Sequence, residues 1–137
     1  MSAWKRVALE RLPEYRSAIE AAENPMALWI ELHMKLQEVY RATSPDDSLI
    51  RRFYEYARWC LQSPGRIGYL SDAGTAAAYA FYEHLPKDAR IRRDLPRWMT
   101  RGEFTGLREA FRHLLSEQEF AEFEAEFLGS TKKGVWR

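Results

Sequence analysis

From Asn24 to Leu128 nearly every apolar residue recurs at three- and four-residue steps, the spacing of one face of an α-helix. No run alternates polar and apolar positions over a useful length, so a sheet is not expected. Before Asn24, a first patterned segment runs from Ser2 to Glu23 on Val7, Leu9, Leu12, Tyr15 and Ile19. Pro13 removes a backbone donor inside it and predicts a kink, or two short helices meeting near Leu12.

Start and stop signals divide the rest. Asn24 suits an N-cap and Pro25 a first helical position, after which Leu28, Trp29, Leu32, Leu36, Val39 and Tyr40 form one stripe. Ser44-Pro45-Asp46-Asp47 repeats the start signal, with two acids against the positive end of the helix dipole. The helix it opens, to about Gln62, carries apolar residues on a wide face, from Leu49 and Ile50 through Phe53, Tyr54 and Ala57 to Cys60 and Leu61, and is expected at the centre of the fold. Ser63 to Gly68 forms a loop, and Ser71-Asp72 caps a helix reaching about Leu85, closed by Pro86. Its run Gly74 to Ala78 is small enough to let the central helix approach closely.

Beyond Pro86 the pattern loosens. A short helix over 88–93 and a turn over 97–101 flank Pro96, and Phe104 to Leu115 mark one further helix. Ser116 and Glu119 have the spacing of a capping box, and Gly129 suits a C-cap. The pattern therefore predicts an all-α fold: an irregular bundle of six or seven helices, one domain over residues 1–129 and a frayed tail over 130–137 in which Trp136 is free to dock.

Composition supports that picture and narrows the function. In 137 residues, 46% apolar and 14% aromatic content is ample for a core, which excludes disorder over most of the length. A formal charge of +1 exerts no global pull on nucleic acid or anionic membrane, and neither is expected as a partner. No run reaches the roughly 20 apolar residues of a membrane span. The segment Met1 to Arg6 lacks the continuous apolar stretch of a signal peptide, so a cytoplasmic location is expected.

Little catalytic chemistry is legible. Cys60 is the single cysteine; flanked by Trp59 and Leu61 and in register with Phe53 and Ala57, it reads as buried and structural rather than nucleophilic. His33, His84 and His113 lack ligand spacing, and no phosphate loop, dinucleotide fingerprint or serine elbow is present. Gly65-Arg66-Ile67-Gly68 matches the backbone-clamping loop of KH modules, but no sheet stands behind it, and a helix-to-helix loop fits better. No residue is assigned a catalytic, cofactor or metal role.

The charge pattern stands above this background. Residues 87–101 hold Lys87 and five arginines against Asp88 and Asp94, a net +4, whereas residues 102–128 hold seven glutamates against Arg108 and Arg112, a net −5. The two segments either neutralise each other internally, arginines pairing with Glu119, Glu122 or Glu126 and Trp98 filling the core, or leave a basic patch of Arg93, Arg97, Trp98 and Arg101 for an acidic protein surface. Arg and Trp at such a patch are the residue types enriched at binding hot spots.

Two strings, Arg51-Arg52-Phe53-Tyr54-Glu55-Tyr56-Ala57-Arg58-Trp59-Cys60-Leu61 and Ala80-Phe81-Tyr82-Glu83-His84-Leu85-Pro86, resemble a family of small uncharacterised bacterial all-helical proteins, a domain of unknown function. The resemblance spans most of residues 24–128 and implies a bacterial cytoplasmic protein without an assigned activity or site. Within the second string, Tyr82, Glu83 and His84 are expected to cap a helix end before Pro86. The reading that follows is a non-enzymatic helical interaction module, regulatory or toxin-neutralising by analogy of class. The alternative is a small-molecule-binding or enzymatic domain with a site assembled from distant residues.

Overall fold

The structure, a computed structural model, describes residues 1–64 and 72–132. Nine α-helices, three 3-10 segments and no strand occur among the described residues. The chain divides into two compact units, Met1–Phe81 and Tyr82–Arg137.

In the first unit, α1 (Ala3–Arg11) and α2 (Arg16–Ala21) are separated by a 3-10 turn over Pro13–Tyr15, so the break expected at Pro13 is present. It is followed by α3 (Pro25–Arg41), α4 (Asp47–Gln62) and α5 (Ala73–Ala80). Their starts follow local chemistry. The Ala27 amide donates to Asn24 Oδ1 at 2.8 Å, Leu49 to Asp46 Oδ1 at 3.2 Å and Thr75 to Asp72 Oδ1 at 2.9 Å.

Helix α4 packs against α1, α3 and α5, the central role its wide apolar face predicts. Its Ile50, Phe53, Tyr54, Tyr56, Ala57 and Cys60 are buried, although Leu61 turns outward and is 37% exposed. Trp59, Tyr56 and Trp29 stack in series, with ring centroids 6.1 and 5.2 Å apart, and Phe81 closes on Trp29 at 4.6 Å. The Tyr56 hydroxyl donates to Trp4 O at 2.9 Å, which ties α1 to α4. Arg52 clamps the same edge: it donates to both Glu14 carboxylate oxygens at 2.7 and 2.6 Å and to Arg11 O at 2.9 Å. That hydrogen bond from Arg52 holds the Glu14 carboxyl below its usual range. The small face of α5 meets α4 as expected; a methyl group added at Gly74 would stand 3.2 Å from Cys60 O.

The second unit holds a 3-10 segment over Tyr82–Lys87, α6 (Ala89–Asp94), a 3-10 turn over Leu95–Arg97, α7 (Arg101–Gly106), α8 (Arg108–Arg112) and α9 (Glu117–Lys132). Phe104 is its hub. Its ring lies 5.3 Å from Phe111, 6.3 Å from Phe120, 5.3 Å from Phe123 and 4.4 Å from Phe127. The capping box at Ser116 is formed: Glu119 N donates to Ser116 Oγ at 3.1 Å, and Ser116 N to Glu119 Oε1 at 2.9 Å. Thr100 and Glu103 form another that the sequence reading passes over, although its spacing is the same.

Several expectations need correction. The helix count exceeds six or seven because Pro13 and a break at Leu107 (φ −106°, ψ 9°) each divide a segment in two. The helix expected to reach Leu85 stops at Ala80. Phe81 leaves helical geometry (φ −123°, ψ −72°), and Pro86 has no amide for the Tyr82 carbonyl and clashes with it. Tyr82, Glu83 and His84 accordingly sit in a 3-10 segment, not at an α-helix end. Gly129 lies inside α9 instead of capping it; a lone helical glycine costs only about 1 kcal/mol, and the helix continues. The Gly65–Gly68 loop, the rest of the expected tail and Trp136 lie outside the described residues.

Replacing the hub ring tests this packing. Phe104→Ala should destabilise the protein by about 3–5 kcal/mol in chemical unfolding, because four rings lose their common neighbour.

Candidate functional site

Of the four residues of the expected basic patch, Trp98 is buried and Arg93, Arg97 and Arg101 are exposed. Trp98 is 7% exposed; its Nε1 donates to Asp94 Oδ2 at 2.9 Å. Arg97 donates to Asp94 Oδ1 at 3.0 Å, and its guanidinium stands 4.8 Å from the Trp98 ring centroid. One carboxylate therefore organises both residues, and the Trp98 ring is withdrawn from the surface it was expected to share.

Internal neutralisation between the segments occurs through Arg92 and Glu126, not through Arg93, Arg97 or Arg101 and not through Glu119 or Glu122. Arg92 makes a two-pronged pair with Glu126, both contacts at 3.2 Å, and Arg108 pairs with Glu124. Arg108 and Arg112 also lie over the Phe120 ring, at 5.1 and 5.6 Å. Glu119 belongs to its capping box, and Glu122 accepts from Gln118.

The residues with reactive side chains are held in structural settings. Cys60 is fully buried, and burial pushes its thiol up to about 11 against the opposing pull of Trp29 and Tyr56. A thiol held protonated in an apolar pocket is a poor nucleophile. Glu83 is the one buried charged residue among those described, at 5% exposure, and desolvation raises its carboxyl above the ordinary range. His113 and His84 pull in the opposite direction without cancelling it.

A concave feature of the first unit lies elsewhere. Between α2 and α3 runs an open groove of about 680 Å³, lined by Ser17, Ala18, Ala21, Ala22, Glu23, Ala27, Ile30 and Glu31. It exists because α2 offers only alanine and serine to that side, while Ile19 turns into the core. On α3 the opposite stripe of Leu28, Trp29, Leu32 and Leu36 is buried, which leaves Ile30 52% and Met34 45% exposed. Those two sit one turn apart on the same face and extend the apolar floor past the groove.

The sequence carried a signal for this site. Ile30 and Met34 fall off the main apolar stripe at four-residue spacing, beside a run of small residues in the preceding segment. The groove itself is a shortage of side-chain volume, which periodicity does not register.

Comparison of the chain with protein-family models, with curated proteins and with solved structures finds no match. No helix among the described residues is long and apolar enough to cross a membrane, and among them no group of three or more His, Cys, Asp and Glu is placed to hold a metal ion.

Two outcomes follow from these placements. Trp98→Ala should cost about 3–5 kcal/mol in urea unfolding, the loss of a large enclosed ring and its hydrogen bond. The raised Glu83 carboxyl favours folding when protonated; that contribution is complete below the ordinary value of 4.5 and is lost as pH rises through the folded-state value. Glu83→Gln should therefore be more stable than the parent at pH 7. The gain should shrink to nothing near about pH 4, where both states of the parent carry the proton.

Proposed function

We propose that this chain is a non-enzymatic, cytoplasmic helical module that binds another protein, and that the groove between α2 and α3 receives the partner. The observation that carries this reading is an open groove of about 680 Å³ continuous with two exposed apolar side chains on one helix face, Ile30 and Met34. Scattered apolar residues on a surface need no explanation, whereas a concave strip with an apolar rim is the usual seat of a helix or peptide. A regulatory or toxin-neutralising role belongs to the reading as an analogy of class, as does kinship with the small bacterial helical proteins resembled above. The exposed Arg93, Arg97 and Arg101 are a further surface of the same module, suited to an acidic partner face.

The alternative, a site assembled from distant residues, draws support from Glu83, a buried carboxyl under the opposing influence of His84 and His113. Perturbed carboxyls gather at functional sites, yet structural burial perturbs them equally.

Photo-crosslinking in the native host tests the choice. A crosslinker at position 30 or 34 should give one discrete adduct with a second protein. Ile30→Asp should abolish partner capture while changing stability by less than about 0.5 kcal/mol, since the side chain is half exposed. Adducts from positions 93 and 101 alone would transfer the partner site to the basic surface.

A further inference from the structure

The groove carries charge as well as shape, and the charge specifies its occupant. Three glutamates lie in or near it. Glu20 is engaged by Arg16, at 3.1 Å, and Lys5 donates to its backbone carbonyl at 2.9 Å. Glu23 and Glu31, both exposed and both lining the groove, have no ion-pair partner among the described residues. No basic residue lines the groove. The groove thus combines an apolar floor with two acids that no described residue pairs.

We infer that the α2–α3 groove takes an amphipathic helix of a partner protein in which Lys or Arg residues flank a large aliphatic or aromatic side chain. This rests on the proposed groove-binding function and names the partner's chemistry. The alanines at 18, 21, 22 and 27 let a helix approach closely, so that an aliphatic knob reaches the floor and meets Ile30. Its flanking cations then stand near Glu23 and Glu31. These rim charges supply association rate and discrimination more than affinity. A second copy of this chain suits the groove poorly. In a symmetric pair the same patch meets itself, and Glu23 and Glu31 of each copy would oppose those of the other.

Two stapled helical peptides of about 16 residues provide the test, the staple compensating for marginal helicity at that length. Both carry the same leucine stripe; one has lysines flanking it and the other glutamates. Fluorescence anisotropy against the full chain should show the lysine peptide binding at least about tenfold tighter, with the preference falling as salt rises. A Glu23→Lys/Glu31→Lys double variant should reverse the preference. Ala21→Tyr, which fills the groove from an exposed position, should abolish binding of both peptides with the thermal midpoint unchanged. Equal binding of both peptides, lost in Ala21→Tyr, would overturn the cationic partner and leave groove binding standing. Failure of both peptides to bind, or binding indifferent to Ala21→Tyr, would overturn both. Concentration-dependent dimerisation that Ile30→Asp dissolves would make a second copy the occupant and likewise overturn the inference.

Discussion

A helix of five or six residues does not persist in water, and α2, α6, α7 and α8 are no longer than that. Each exists only because a neighbour holds it, through a buried isoleucine in α2 and α6 and through aromatic rings in α7 and α8. Phe104 from α7 and Phe111 from α8 are clasped by Phe120, Phe123 and Phe127 of the longer α9. The Trp59, Tyr56, Trp29 and Phe81 series does comparable work in the first unit, between the long helices α3 and α4 and the start of the next segment. Aromatic residues suit this task, since one ring removes more area from water than an aliphatic chain and tolerates tilted as well as stacked neighbours. Short helices broken at Pro13, Pro86 and Leu107 are thus compatible with a firm core.

What was legible in the sequence was local. Asn24, Asp46, Asp72 and Ser116 cap their helices because the bonds they make span three residues, and nothing distant is needed to read them. Pro13 divides its segment for the same reason. The misreadings concern what lies further away. Pro86 marks the end of its helix but acts on the Tyr82 carbonyl, so the helix stops at Ala80 and not at Leu85, and Gly129 resembles a cap until α9 is seen to continue past it. Trp98 was the instructive case. Its partner Asp94 stands four residues before it, within reach of the sequence, yet whether that pair faces inward depends on the whole unit.

Segment charge was informative only in part. The excess of +4 over 87–101 and of −5 over 102–128 left open whether the segments neutralise each other or expose a basic patch. The ion pairs are distributed by geometry: Arg92 reaches Glu126 across the two segments, Arg97 folds back on Asp94, and Arg108 pairs within its own segment with Glu124. Partly exposed pairs of this kind each contribute at most about 1 kcal/mol. They orient elements that aromatic burial has already secured. Net charge of a segment therefore says little about its surface, whereas the two uncompensated glutamates beside the groove were invisible to any segment sum.

The groove and the weakness of α2 are one feature. The same alanines that leave about 680 Å³ open beside α3 deprive α2 of apolar contact, and Ile19 is the single residue of that helix buried in the core. Lys5 of α1 donates to Glu20 O, an exposed polar tie, and the Arg16–Glu20 pair lies within α2 itself. A six-residue helix so held belongs at the low end of local stability, where binding surfaces are commonly drawn. Larger residues at 18 and 21 would close the groove, so the small side chains that keep it open are the same ones that leave α2 thinly packed. A helix laid into the groove would supply the apolar contact that α2 lacks.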